Sequence, residues 1–404
     1  MREPIDRSNL FLDMNAFFAS VEQQVQPRLR GQPICIAPYT GNTGCCIAKS
    51  YEAKAYGVSI MSVGEAKKLC PQIKIIESRP ELYLFYHRQI LKLLETFSPF
   101  VEVKSIDEFN IKLSGPERRA DNARKMALEI KQAIREQIGD YLKCSIGVAS
   151  SPWLAKVAGE LKKPDGLVIL SREELPALYR KLKLTDLPGI NIAMERQLHR
   201  RGIRTAFDFY RQSLSDLSVQ LGHIGRLWYF RLRGYEIDEL KTATKSIGHS
   251  HVLAPEFRNK ISARRVLAKM AEKCARRLRA KNLWASGIYL SIAFLGGGGF
   301  RRHITVDLVC DSRSIQRAAL SLYDAAQIKK PPLRVAVTLF NLKQTRHEPI
   351  SLFPDIEKAK RASRALDKIN DRYGDDTIYP ASMFDTEEAA PNRIPFGDPG
   401  RLGF

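Results

Sequence analysis

Val101-Glu102-Val103-Lys104-Ser105-Ile106-Asp107-Glu108-Phe109-Asn110-Ile111 alternates apolar and polar residues, breaks at Ser-Ile-Asp-Glu and then resumes its alternation. Period-two patterning on both sides of a short polar break predicts a β-hairpin. Neighbouring strand residues point to opposite faces, so Asp107 and Glu108 approach one metal centre together only where a tight turn re-aims them. A third carboxylate, Asp13, closes the apolar strand Asn9-Leu10-Phe11-Leu12, and Phe17-Phe18 follows shortly after. Taken alone, an Asp-Glu pair is most often a solvated turn, because turns are rich in Asp. An Asp at a strand end together with an Asp-Glu pair at a distant hairpin is instead the usual makeup of a carboxylate cage for two divalent ions.

Around these acids the chain is long and basic. Its 404 residues exceed one ordinary core and predict two to four domains. The 65 Lys and Arg outnumber the 44 Asp and Glu, for a net charge of +21, which argues for a polyanionic partner: nucleic acid first, an anionic membrane second. No apolar run reaches the ~18 residues of a spanning helix, and Met1-Arg2-Glu3-Pro4-Ile5-Asp6 has no apolar signal region, so a soluble, cytoplasmic protein is expected. The seven cysteines, Cys35, Cys45, Cys46, Cys70, Cys144, Cys274 and Cys310, show no Cys-x-x-Cys spacing and are expected to be reduced and mostly buried.

Three segments taken together resemble the Y-family (translesion) DNA polymerases, with the closest likeness to the DNA polymerase IV branch. They are Phe11-Leu12-Asp13-Met14-Asn15-Ala16-Phe17-Phe18-Ala19-Ser20-Val21-Glu22, Ser50-Tyr51-Glu52-Ala53-Lys54-Ala55-Tyr56-Gly57-Val58 and Ser105-Ile106-Asp107-Glu108. Ser145-Ile146-Gly147-Val148-Ala149 and Lys162-Lys163-Pro164-Asp165-Gly166 match further, and the motifs keep their order from about residue 10 to about 385. The resemblance implies an α+β multidomain, right-hand polymerase. Its parts would be a palm (1–24 and 78–166), fingers (25–77), a helix-hairpin-helix-like thumb (167–234), a linker (235–244), a basic little-finger domain (245–346) and a C-terminal tail (347–404).

The local patterns fit that frame. A helix is predicted over about 80–98 with Leu82, Leu84, Phe85, Ile90, Leu91, Leu93 and Leu94 inward, and another over 121–138. With the strand at 144–149 the order is strand, helix, hairpin, helix, strand: an antiparallel sheet with two helices on one face. Ser151-Pro152 caps and opens a further helix that Lys163-Pro164 closes. By resemblance Phe18 is the steric gate, whose ring lies under the sugar of the incoming nucleotide and collides with a 2′-hydroxyl; Phe17 beside it reads as core at the edge of the nucleotide site. Tyr51 and Lys54, three apart, share one face of a helix and can grip a triphosphate. The family usually has Arg where Lys54 stands, so the charge is kept and the bidentate fork is lost. Lys163 matches the family residue that touches the triphosphate, and Ile47 the roof over the base.

Farther along, Leu187-Pro188-Gly189-Ile190-Asn191 resembles a helix-hairpin-helix turn, with Gly189 offering backbone to a DNA phosphate and a second glycine replaced by Asn191, which tolerates left-handed backbone better than most residues. Between 241 and 346 there are 21 Lys and Arg against 5 Asp and Glu. A helix over 261–281 carries Val266, Met270, Cys274 and Leu278 on one face. Arg265, Lys269, Lys273, Arg276 and Arg277 lie on or beside the other, a set suited to the DNA backbone. Pro349-Ile350-Ser351-Leu352-Phe353 is similar to clamp-binding peptides, with Ile350, Leu352 and Phe353 as anchors; these residues packing back on the protein is the alternative.

The resemblance implies template-directed nucleotidyl transfer on two Mg²⁺ held by Asp13, Asp107, Glu108 and the carbonyl of Met14. Asn15 stands where the family often has Asp and is not a ligand by resemblance. Primer-template DNA and dNTPs are the expected partners, the sliding clamp a further candidate, and a monomer the expected state. A catalytically inactive DNA-binding accessory subunit on the same fold is the alternative; such proteins lack the acids, and all three acids are present here. A nucleotide-cyclising enzyme with a palm-like core would leave the basic C-terminal part without a role.

Overall fold

The computed structural model describes residues 3–237, 244–344 and 354–391. Contacts divide the chain between residues 240 and 241 into two units.

The first unit opens with β1 (Asn9–Met14) and α1 (Phe17–Val25), continues through β2 (Ile34–Ala37), β3 (Ala48–Lys49), α2 (Tyr51–Ala55), α3 (Val63–Leu69) and β4 (Lys74–Glu77), and returns by α4 (Pro80–Phe97) to the hairpin of β5 (Val101–Val103) and β6 (Glu108–Lys112). Then come α5 (Ala120–Ala133), β7 (Cys144–Ala149), α6 (Pro152–Glu160) and β8 (Leu167–Ile169). A five-stranded sheet in the order β5-β6-β1-β7-β8 results, antiparallel except for β7 with β8.

Period two explains why β1 is central. Leu10 and Leu12 point to one face, where they pack with Ile90, Leu94, Phe109, Ile111 and Ile130 beneath α4 and α5; Phe11 points to the other and packs with Trp153 and Leu154 of α6. Each such buried side chain contributes roughly 1.5–3 kcal/mol. The helix α6 lies unusually close on β7. A Cβ at Gly147 would stand 1.9 Å from the Ala155 carbonyl oxygen and 2.4 Å from the Gly159 nitrogen, so only glycine permits this approach.

The hairpin and the helices fall where periodicity places them, with three differences. Within α4, Phe85 is exposed and Tyr83 and His87 are buried in its stead, because the helix rotates to bring Tyr83 against α1. The helix at 120 passes into a single π turn, Ile134–Ile138. Cys35 and Cys46 are disulfide-bonded rather than reduced: β2 and the segment entering β3 run side by side and bring their Cα atoms to 5.8 Å.

A three-stranded sheet, β3-β2-β4, forms a separate small core with Val63, Ala66 and Cys70. Residues 175–232 form five helices, α7 (Leu175–Lys181), α8 (Ile192–His199), α9 (Ala206–Arg211), α10 (Leu214–Leu221) and α11 (His223–Leu232), around Tyr179, Phe209, Trp228 and Leu232.

The second unit contains β9 (Ser246–Val252), α12 (Lys260–Ala280), β10 (Leu283–Phe294), β11 (Gly299–Val309), α13 (Ser312–Asp324), β12 (Pro332–Gln344) and α14 (Pro354–Tyr373). Its antiparallel sheet, β11-β10-β12-β9, turns Ile288, Leu290, Ile292, Val335, Val337 and Leu339 toward α12 and α13. Residues 354–391, set apart by the sequence reading as part of a tail, pack in this unit against α12 and α13.

Candidate active site

Register builds the acid pair. In the β1–β6 ladder Asp13 stands opposite Glu108, on the face that carries Phe11 and Asn110 and that α6 covers. Asp107 precedes the strand, and its carbonyl accepts from the Met14 N–H at 2.9 Å, which ties the hairpin turn to the end of β1. The Ser105 hydroxyl donates to Asp107 Oδ1 at 2.6 Å and fixes that carboxylate.

Two lysines of the α6 region answer the acids. Lys156 Nζ lies 2.5 Å from Glu108 Oε1, and Lys163 Nζ lies 2.8 Å from Asp13 Oδ1 and 2.6 Å from Glu160 Oε1. Among the described residues no three His, Cys, Asp or Glu side chains converge closely enough to hold an ion between them; here Asp13 and Glu108 each turn to a lysine. Burial pushes the Asp13 carboxyl up to about 7, with Asp107 and Glu160 adding repulsion and Lys163 opposing. Burial likewise raises Asp107, with Glu108 adding to it against the Ser105 hydrogen bond. Crowded, partly desolvated carboxylates with oxygen donors only are the chemistry of a hard divalent cation site. The donor set fits such an ion, whose charge would relieve what the lysines now offset.

The nucleotide candidates gather at the same place. Ser50 caps α2 by accepting from the Ala53 N–H, which starts a helix at Tyr51. Lys54 Nζ lies 3.9 Å from the Tyr51 ring centroid. Burial lowers the Lys54 ammonium, and Lys49 and Lys163 add to this; burial raises the Tyr51 hydroxyl, with Lys163 opposing and Asp13 and Glu160 adding to it. The structure therefore brings Tyr51, Lys54 and Lys163 into one electrostatic neighbourhood with Asp13, and Lys49 joins it, a residue the sequence reading did not single out.

Phe17 and Phe18 are both buried. Phe18 stacks on Tyr83 with centroids 4.2 Å apart and planes 11° from parallel. The Tyr83 hydroxyl donates to Glu22 Oε1 at 2.8 Å, and Arg79 Nε donates to the same oxygen at 3.0 Å. This buried network was absent from the sequence reading, since its members lie 57 and 61 positions apart and no local pattern links them. Ile47 is half-buried against the main core.

The turn at 187–191 differs from expectation. Gly189 has the left-handed φ of 97°, but Asn191 is extended, and its side chain accepts from the Met194 N–H to cap α8. A capping role, not left-handed tolerance, explains Asn191.

The basic face of α12 is corrected more deeply. Lys269 is 3% exposed, donates to the Thr386 and Glu387 carbonyls and pairs with Asp376 at 3.1 Å. Lys273 donates to the Ala390 carbonyl, and burial and Lys269 push its ammonium down to about 8. Arg276 pairs with Asp371 and Asp375, and Arg265 lies 3.7 Å from Asp385. Arg277 donates to the Gly248 carbonyl at 2.7 Å. Lys269, Lys273 and Arg276 are committed within the unit, because the acidic segment after β12 folds back over them, while Arg277 turns to β9 and Arg265 stays partly exposed. Among the described residues, the other face of the sheet is open and bears exposed Arg301, His303 and Arg334 with Ser291 and Thr338 between them. Ile350, Leu352 and Phe353 lie outside the described residues.

Comparison with known proteins places these features. The impB/mucB/samB family pattern matches residues 12–160, and the pattern of that family's C-terminal domain matches 244–352. DNA polymerase IV of Pelotomaculum thermopropionicum is 31% identical over 389 residues, covering 94% of this chain and 95% of the relative. DNA polymerase IV of Moorella thermoacetica is 32% identical over 391 residues, covering 93% and 96%. Among solved structures, a Y-family DNA polymerase chimera, Dbh-Dpo4(243-245)-Dbh, superposes with a TM-score of 0.70 at 23% identity over 83% of this chain and 99% of its own. DinB from Sulfolobus solfataricus gives 0.52 at 23% over 82% and 98%. These last two likenesses show the shared fold, an α+β right hand.

Proposed function

The chain belongs to the Y family of DNA polymerases, as a DNA polymerase IV-like enzyme, and from that premise we propose how its residues carry out translesion nucleotidyl transfer to a primer 3′ end. Residues 1–24 and 78–166 act as palm, 25–77 as fingers, 167–234 as thumb and 245–346 as little finger. Primer-template DNA and a dNTP are the substrates.

The observation that carries the reading is the Asp13–Glu108 cross-strand pair beside Asp107, on a face roofed by lysines. Asp13, Asp107, Glu108 and the Met14 carbonyl would hold two Mg²⁺. Bound there, the ions would supply the charge that lowers the pKa of a primer hydroxyl and offsets that of the triphosphate and the leaving pyrophosphate. Lys163, released from Asp13, turns its ammonium to the triphosphate, with Tyr51 donating its hydroxyl and Lys54 adding charge. Phe18, held flat on Tyr83, presents its ring to the sugar and excludes a 2′-hydroxyl. Gly189 offers backbone to the DNA. The open face of the little-finger sheet, with Arg301 and Arg334, takes over the phosphate contacts first assigned to α12. Ile350, Leu352 and Phe353 remain the proposed clamp-binding anchors of a monomeric enzyme.

The experiment is a Mn²⁺ titration by electron paramagnetic resonance on the complex with dideoxy-terminated primer-template and a dNTP. The wild type should take up about two ions per chain and Asp107→Ala fewer. Equal uptake by both proteins would remove Asp107 from the cage.

A further inference from the structure

The turn that delivers Lys163 is held from beneath by one buried amide. Asn15 is 2% exposed and lies two residues past Asp13. Its Oδ1 accepts from the Asp165 N–H at 2.7 Å, and its Nδ2 donates to Ser145 Oγ at 3.0 Å. Its backbone is fixed as well: the N–H donates to the Lys143 carbonyl at 2.8 Å, and the carbonyl accepts from Ser20 Oγ at 2.7 Å.

Ser145 stands opposite Asp13 on β7 and extends the link, since its Oγ accepts from the Gly166 N–H at 3.4 Å. Lys131 grips the far side of the turn, with Nζ 2.7 Å from Asp165 Oδ1. The turn itself is tight: Asp165 has φ 58°, and a Cβ at Gly166 would stand 2.1 Å from the Lys162 carbonyl oxygen. A non-glycine residue in left-handed backbone is held there by its surroundings. Asn15 supplies both an acceptor and a donor, which a carboxylate at the same place would not.

We propose that Asn15 is a positioning residue for nucleotide binding: its side-chain amide, through the Asp165 N–H and the Ser145 hydroxyl, couples the end of β1 that bears Asp13 to the turn that presents Lys163. This rests on the reading of Lys163 as a triphosphate contact. In this role Asn15 acts through Lys163 and is not itself a ligand. Its loss lets the turn move, so the ammonium of Lys163 meets the triphosphate less often while the carboxylates stay in place.

The test is a double-mutant cycle in steady-state primer extension, with hydrogen exchange at the Asp165 amide as a second readout. Asn15→Ala should raise the KM for dNTP about tenfold, change kcat less than about twofold, and unprotect the Asp165 amide. In a Lys163→Ala background the same substitution should change KM less than about twofold, because the group through which Asn15 acts is gone. Ser145→Ala should shift KM in the same direction and serves if Asn15→Ala does not fold.

A wild-type KM in Asn15→Ala, or the full increase persisting in the Lys163→Ala background, overturns the proposal. If Lys163→Ala alone leaves KM unchanged, the triphosphate reading of Lys163 fails and the proposal falls with it. If Lys163→Ala raises KM and Asn15→Ala then adds its full effect, only the positioning role fails.

Discussion

At the scale of single residues, the site is a set of charges held in tension. Asp13 illustrates it: burial and two neighbouring acids push its carboxyl up to about 7 even though Lys163 sits beside it. The folded, metal-free chain thus binds this proton more tightly than the unfolded chain does. Stability from this group is greatest below the ordinary carboxylate value of 3.8 and declines as pH rises toward about 7. Asn in its place cannot ionise. Metal-free Asp13→Asn should therefore melt higher than the wild type at about pH 8, with the gap narrowing toward about pH 5. Mg²⁺ should raise the melting point of the wild type more than that of the variant. Differential scanning fluorimetry at the two pH values checks this, and equal melting points at the higher pH would show that Asp13 carries no such burden.

At the scale of elements, what was legible in the sequence is what period and local chemistry encode. The alternation around Asp107 and the apolar run at residues 9–12 are enough to predict strands, and the strand register alone sets Asp13 against Glu108. Ser151-Pro152 announces its helix through a cap that the structure contains. What was not legible depends on how distant elements dock. The Lys156–Glu108 pair spans 48 positions and exists because Gly147 lets α6 lie close on β7. The Tyr83 stack on Phe18, the Cys35–Cys46 bond and the fold-back of residues 354–391 onto α12 are of the same kind. A basic helix face reads the same whether it meets DNA or an acidic segment of its own chain. Here the aspartates at 367, 371, 375 and 376 meet α12. It follows that Arg276→Glu should change DNA affinity less than about twofold. Arg301→Glu, on the open sheet face, should weaken binding and lower the salt slope by about 0.9 for each phosphate no longer neutralised. Fluorescence anisotropy across a salt series measures both. The reverse ranking would return the DNA contacts to α12.

At the scale of the whole molecule, an excess of +21 gives a long-range attraction for a polyanion, and sequence-independent phosphate contacts suit an enzyme that must follow damaged template. Charge brings DNA to the chain; on the proposed reading the acids at the end of β1 and at the β5–β6 turn, in the interior of the sheet, supply the chemistry. The two contributions are separable. Primer extension with dNTPs and Mg²⁺, run for the wild type and Asp107→Ala beside a DNA-binding measurement on the same proteins, separates them most directly. Extension should be Mg²⁺-dependent in the wild type and abolished in the variant, with DNA affinity retained. Undiminished extension by Asp107→Ala, or tight DNA binding with no extension by either protein, would contradict catalysis at this carboxylate cage.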